Sequence, residues 1–450
     1  MNLNKFTKIF HSSDKRNNNL RNNILLSGLM KATGMLTSFL IVPVTLHYLD
    51  NEIYGIWMTI TSILYWITTF DIGLGNGMRN YLAEALATND TKLGKKYIST
   101  TMLLLSLIAL SMAIVLLYPL ITINFNSFFN TNAIAGNELR MAVVIAVGFT
   151  LMNFVLKNIG MIFVAMQKYA INDLLSISGN VIALILIYIL TKVTTGNLVL
   201  VVLAYTMTSC VAFLLAAIPL FWKHPELKPS LRFFDKSLGK KIVGKGFGFF
   251  VIQISSCLVI FGAANFFITQ SCGPAAVTTY NIAYKFFNLL VIAYTIILAP
   301  MWNAYTDAYV KGDMQWIKAT FNKALKFWVL SICGGLGMLL ICNLFYKLWI
   351  GNMVNVPLSV SASTLIYVCF FNLNNCATYL INGLNKIFVQ IIISLAVTTL
   401  YIITVLAFGR KLGVEGIVLS MAASYAVMSV VHLYQCRKLI NGKADGIWNK

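Results

Sequence analysis

Acidic residues are scarce in this sequence, with 14 Asp and Glu among 450 residues against 34 Lys and Arg. Charge of either sign is thin, at 11% of residues, where a soluble domain carries about 25%. Hydrophobic residues make up 58% and the mean hydropathy is +0.78, so a water-soluble fold is excluded. Missing too is a cytosolic domain with clustered carboxylates, which a metal-dependent nucleotide-sugar enzyme would need. The eight cysteines (Cys210, Cys257, Cys272, Cys333, Cys342, Cys369, Cys376 and Cys436) contain no Cys-x-x-Cys pair. The four histidines (His11, His47, His224 and His432) have no ligand spacing, so neither a disulfide frame nor a metal site is indicated. There is no Gly-x4-Gly-Lys-Ser/Thr, which excludes a phosphate-loop ATPase. No short alternating segments suggest an outer-membrane barrel.

What the chain does have is apolar runs of about 20 residues, the length of helix that crosses a hydrocarbon core of ~30 Å. Twelve spans are predicted: 23–47, 54–74, 98–122, 140–165, 173–192, 198–221, 242–268, 279–303, 325–349, 358–383, 388–408 and 415–436. Positive charge tests the count, because Lys and Arg collect on the cytoplasmic side. With the N-terminus inside, the inner segments hold 25 of the 34 basic residues. The outer loops hold only Arg140, Lys192, Lys347, Arg410 and Lys411. Trp57 and Trp349 are expected as aromatic anchors at outer ends, Trp222 and Trp302 at inner ends. The net charge of +20 therefore serves orientation and contact with anionic lipid, and no nucleic-acid partner is expected.

The expected domains are a cytoplasmic arm (1–22), a six-helix bundle (23–221), a basic, proline-containing cytoplasmic linker (222–241), a second six-helix bundle (242–436) and a cytoplasmic tail (437–450). In the arm, Leu3, Phe6 and Phe10 suit one face of an interfacial helix, and a disordered arm is the alternative. No cleavage site follows, so the first span reads as an uncleaved helix. The halves resemble each other: Met78, Asn80, Glu84, Ala85, Asp90 and Lys95 recur 223 residues later as Met301, Asn303, Asp307, Ala308, Asp313 and Lys318. Six spans per half make this a parallel repeat, an arrangement found in secondary transporters. The fold class is thus an all-α membrane protein of twelve helices in two pseudo-symmetric bundles around a central cavity.

Ionisable residues inside the membrane are the candidates for function, since a charge there costs roughly 2.5–3.5 kcal/mol on insertion scales. They are Lys31 in span one, Asp71 near the end of span two, Arg79 just beyond, Lys157 in span four and Lys285 in span eight. Together they suggest a cationic, water-filled chamber for an anionic head group, with Asp71 as counter-charge or proton carrier. Each has a blander reading: Lys285 snorkels to an outer end, Arg79 is interfacial, and Asp71 simply pairs with a base. Gly73, Gly75 and Gly77 follow a membrane helix rather than a strand, which rules out a dinucleotide loop. They let the span bend, end or pack closely, and Pro43 and Pro300 are candidate kinks. Span ten is rich in amides, of which Asn375 and Asn382 share a face and suit sugar hydroxyls or helix–helix bonds. No nucleophile–base pair is found, so no enzyme is expected.

Tyr54-Gly-Ile-Trp57, Phe70-Asp-Ile-Gly-Leu-Gly-Asn-Gly-Met-Arg-Asn80 and Asn382-Gly-Leu-Asn-Lys386 resemble bacterial polysaccharide-unit transporters. These are the O-antigen-type flippases of the multidrug/oligosaccharidyl-lipid/polysaccharide exporter superfamily, and the likeness runs over about 20–440. It implies a bacterial inner-membrane secondary transporter with both termini cytoplasmic. Such a protein moves an undecaprenyl-pyrophosphate-linked oligosaccharide from the cytoplasmic to the periplasmic leaflet by alternating access, in lipopolysaccharide or other polysaccharide biosynthesis. It implies no cofactor, coupling to a proton or sodium gradient or to the membrane potential, and glycan polymerase and assembly proteins as partners. Asp71, Gly73, Gly75, Asn76 and Arg79 correspond to the family signature, while Lys31, Lys157 and Lys285 rest on their burial alone. The runner-up is a multidrug or small-molecule exporter of the same superfamily. Basic residues outnumber acids about four to one among the intramembrane charges, which disfavours cationic drugs.

Overall fold

The computed structural model describes residues 15–71, 73–240 and 263–450. All regular structure among them is helical. The main helices are α1 (Lys15–Thr69), α2 (Leu74–Ala87), α3 (Thr91–Thr122), α4 (Phe125–Phe129), α5 (Gly136–Leu156), α6 (Asn158–Ala165), α7 (Tyr169–Val193) and α8 (Leu198–Lys223). After them come α9 (Ala263–Cys272), α10 (Pro274–Val310), α11 (Met314–Ile350), α12 (Leu358–Gly383) and α13 (Phe388–Ile440). Nine of these stretches among the described residues are long and apolar enough to cross a membrane.

Two of the nine are too long for one crossing. At 55 and 53 residues, α1 and α13 would each reach about 80 Å at 1.5 Å per residue. Each is interrupted once, α1 at Asp50 (φ 68°, ψ 179°) and α13 at Gly413 (φ 66°, ψ −170°). Ser394 Oγ meets Met428 Sδ at 3.9 Å, so the two parts of α13 fold back on each other. The breaks separate spans one from two and eleven from twelve, in keeping with a twelve-span chain. Residues 1–14, most of the expected span 242–268, and Lys245 lie outside the described residues.

The apolar surface on α3 is what a lipid-facing helix requires: Leu110, Ile114, Val115, Tyr118 and Ile121 are all exposed. Where helices approach closely, small residues stand at the contact. At Gly179 on α7, an added Cβ would lie 2.5 Å from Ser209 Oγ on α8.

The chain divides into two compact units. One comprises Met1–Asp50, Leu64–Asn126 and Ile134–Phe250. Its core gathers Met78 and Leu82 of α2, Ile98 of α3, Ile159, Ile162 and Phe163 of α6, and Phe213 and Leu220 of α8. The linker docks within this unit as two 3-10 turns, Pro225–Leu227 and Leu231–Phe233. Ser230 N donates to Ser99 Oγ and Asp235 N to Thr100 Oγ1, each at 3.0 Å. Lys96 reaches Asp235 at 3.4 Å, and Lys95 lies over the Phe233 ring. The Ser237 hydroxyl, then the Leu238 and Ser237 amides and Lys96, hold the Asp235 carboxyl below its ordinary value.

The other unit comprises Asn51–Ile63, Ser127–Ala133 and Val251–Lys450. Its core includes Tyr294, Leu298 and Tyr305 of α10, Ile317 and Phe321 of α11, Leu380 and Ile381 of α12, and Cys436 of α13. The Tyr54–Trp57 segment is embedded here. A Cβ on Gly55 would stand 1.8 Å from the Pro274 carbonyl oxygen, so only glycine allows that approach. Trp57, expected to anchor in the lipid interface, is 1% exposed and packs inside the protein instead. Polar bonds surround the segment: Thr278 Oγ1 donates to Asn51 O at 2.6 Å, Asn265 Nδ2 to Ser62 Oγ at 2.7 Å, and the Thr59 and Thr269 hydroxyls pair at 2.7 Å.

The internal repeat appears as two copies of one corner. Asp90 N donates to Ala85 O and Asp313 N to Ala308 O, both at 2.9 Å. The residue before each aspartate is left-handed, Asn89 at φ 57° and Gly312 at φ 73°. Each aspartate then caps the next helix, Asp90 accepting from Leu93 N and Asp313 from Trp316 N, both at 2.9 Å. Such a cap satisfies an amide that the helix cannot.

Candidate functional site

Asp71 and Lys157, 86 positions apart in the chain, meet in the first unit: Lys157 Nζ lies 3.3 Å from Asp71 Oδ2. The same ammonium donates to Thr68 O at 3.1 Å and stands 5.5 Å over the Phe154 ring. Both side chains keep about a quarter of their surface exposed, 24% for Asp71 and 29% for Lys157.

Local structure on each side explains the meeting. α1 ends at Thr69, and the chain turns with Asp71 Oδ1 accepting from Gly73 N at 3.0 Å. Gly73 is left-handed (φ 69°, ψ 14°) and begins α2, a conformation that favours glycine. Gly77 N closes the first turn on Gly73 O at 2.9 Å. Gly75 packs against Asn158, where a Cβ would be 2.3 Å from Oδ1. Opposite, span four tightens at Lys157, between α5 and α6: the residue stays right-handed helical (φ −55°, ψ −22°) with its N–H on Asn153 O at 2.9 Å, and Gly160 N tightens the turn on Lys157 O at 3.0 Å. Asn158 is 1% exposed, and its amide donates to Phe154 O and Val155 O. An end of one helix and a tightened turn of another thus present a carboxylate to an ammonium.

Arg79, on α2 of the same unit, folds its guanidinium onto Asn80 Oδ1 at 3.0 and 3.2 Å. Among the described residues no carboxylate pairs with it. Lys31 on α1 is exposed, again with no ion pair among the described residues. Pro43 lies in the same helix, seven residues before the break at Asp50.

Lys285, Asn375, Asn382 and Pro300 belong to the second unit. Lys285 is half-buried on α10, eleven residues past the helix start at Pro274. No carboxylate among the described residues pairs with it. Pro300 is exposed in the last third of the same helix. Asn375 is half-buried, and Asn382 holds an enclosed Oδ1 with no hydrogen-bond partner among the described residues. The fully buried amides of α12 are different ones. Asn372 donates to Leu290 O at 3.4 Å, and Asn374 Oδ1 meets His432 Nδ1 at 2.8 Å. Sequence reasoning missed Asn158 and the Asn374–His432 pair; the only available signal was a polar side chain recurring in an otherwise apolar helix.

Residues 20–302 match the family model described as "Polysaccharide biosynthesis protein". The chain belongs to this family. It is 26% identical over 400 residues to a Salmonella typhimurium protein named "Putative O-antigen transporter", covering 84% of this chain and 87% of that protein. A Salmonella typhi protein of the same name is 23% identical over 430 residues, 88% of this chain and 92% of that one. In fold, the chain is similar to a solved multidrug resistance MATE family transporter of the MOP superfamily in an inward-facing conformation. The TM-score is 0.74 at 15% identity, over 93% of this chain and 98% of the other. This member of the polysaccharide biosynthesis family is a multi-pass membrane transporter rather than an enzyme.

Proposed function

We propose that this transporter flips an undecaprenyl-pyrophosphate-linked oligosaccharide from the cytoplasmic to the periplasmic leaflet of a bacterial inner membrane, both of its termini being cytoplasmic. The observation that carries the reading is the Lys157–Asp71 pair, formed where one helix ends beside a tightened turn of another, and left partly open. Lysine has three donors; Lys157 directs two of them to one carboxylate and one backbone carbonyl. A pyrophosphate competes with that carboxylate for the ammonium, and protonation of Asp71 would favour the exchange. This gives a route to coupling with a proton gradient, and a sodium ion neutralising Asp71 would act in the same sense. In the first unit Lys31 and Arg79 add positive charge for the anion; in the second, taken by itself, Lys285 supplies a further ammonium, and Asn375 and Asn382 offer amides to sugar hydroxyls. The names of the Salmonella relatives support a glycan cargo.

The test is glycan display at the cell surface in Asp71→Asn and Lys157→Ala cells. Both variants are expected to insert and fold, and both to lose export. Wild-type display by both would refute the assignment.

A further inference from the structure

The second unit contains a hollow of about 390 Å³ between the last two turns of α11 and the loop 351–357 that follows it. Asn343, Asn352, Asn355 and Lys347 are among the residues that line it. No carboxylate contributes to the lining. The volume lies within the range of ligand pockets, ~300–1,000 Å³.

Two features fix what the hollow can hold. Asn343 and Lys347 are four residues apart and so share a helix face. That face also carries Leu340 (87% exposed), Leu344 (60%) and Leu348 (79%), a surface suited to hydrocarbon chains. Asn343 lies seven residues inside the end of α11 at Ile350, about 10 Å at the helical rise. Its Oδ1 accepts from Cys342 Sγ at 3.7 Å; at that depth beside leucines there is little water, and the Nδ2 donors of the exposed amide need a partner. The second feature is rigidity. Gly351 (φ +65°) turns the chain over the helix end with its N–H on Lys347 O at 3.1 Å. Beneath it, the Tyr346 and Ser361 hydroxyls pair at 3.1 Å. The cradle is built before a ligand arrives.

We propose that this hollow binds the phosphate-and-sugar head group of a polyprenyl lipid in the outer leaflet, with the lipid chain lying along the α11 leucines. The ammonium and the absence of acids select an anion. Three amides, each both donor and acceptor, suit a ring of hydroxyls. The inference rests on the flippase reading for its orientation and cargo, and it makes the hollow a landing site for the lipid after it has crossed.

The experiment places benzoylphenylalanine at Met353, on the rim, in the full chain reconstituted in phosphatidylcholine nanodiscs. Cross-linking to undecaprenyl diphosphate bearing one N-acetylhexosamine is measured. It should be efficient and should fall roughly tenfold in Lys347→Gln and in Asn343→Leu, the loss of a charge-assisted or buried hydrogen bond. Both positions are exposed, so unchanged thermal unfolding will confirm that the variants fold. Unchanged cross-linking in both variants overturns the site. Competition by soluble pyrophosphate as strong as by the lipid overturns the lipid assignment. Equal capture of phosphatidylglycerol overturns the glycan assignment. Because the cross-link reads position 353 alone, it separates the two proposals. Wild-type glycan display by both Asp71→Asn and Lys157→Ala beside efficient, Lys347-dependent capture would reject the Asp71–Lys157 assignment and keep the head-group site.

Discussion

The two copies of the repeated corner match in geometry from Glu84 and Asp307 onward and keep Met78/Met301 and Asn80/Asn303 before it, but differ at four positions of the approach. In the first copy the chain breaks between α1 and α2, and Asp71, Gly73, Gly75 and Arg79 follow in order. At the same offset the second copy has Tyr294, Ile296, Leu298 and Trp302 within the uninterrupted helix α10. Tyr294 is 2% exposed and donates to Ala324 O at 2.9 Å, a core residue where the first copy has a half-open ion pair. The corner is therefore architecture common to both halves. The charged, glycine-broken approach is an addition to one half, and architecture alone would not require it.

The strongest way to break this comparison is to exchange the approaches. Asp71→Tyr with Arg79→Trp should abolish export while the chain still inserts, as read by surface glycan and membrane fractionation. The reciprocal Tyr294→Asp buries an unpaired carboxylate in a packed core and should destabilise the protein by roughly 3–5 kcal/mol, measured by thermal unfolding. Export surviving the first exchange would make the Asp71 turn a structural accident.

A smaller effect sharpens the shared part. Asp90→Ala and Asp313→Ala each remove one N-cap and should each cost about 1 kcal/mol, equally within error. A cost confined to one of them would mean the corners differ energetically despite matching geometry.

The smallest expected effect concerns what only the first copy carries, the docked linker. Asp235 titrates below its ordinary value, so its contribution is fully present above the unfolded carboxylate pKa of about 3.9. It is lost as pH falls through the lowered folded value. Proteolysis of the 225–235 segment should rise only below that range. Asp235→Asn should remove the pH dependence, and an unchanged profile in that variant would assign it to another group.

Much of this was legible beforehand, for physical reasons. Twenty-residue apolar runs are imposed by the bilayer itself, so the spans are written locally. The repeat was readable because a helix corner needs an N-cap and a left-handed residue at fixed positions. The Asp71–Lys157 pair was not readable as a pair, because nothing local links residues 86 positions apart. Trp57 was misread because an aromatic near a span end has the same sequence signature whether it faces lipid or a neighbouring helix. Among the amides of α12, burial picked Asn372 and Asn374 for the helix contacts, a choice that periodicity could not make.

One consequence follows from Gly55 lying against the Pro274 carbonyl. No side chain can be added there, whatever cargo a descendant of this protein comes to carry, so drift at that codon is blocked by geometry. The Tyr-Gly-x-Trp string is then a record of packing and should outlive changes of substrate. Sorting relatives by it will group them by ancestry and fold, and their sugars will have to be read elsewhere.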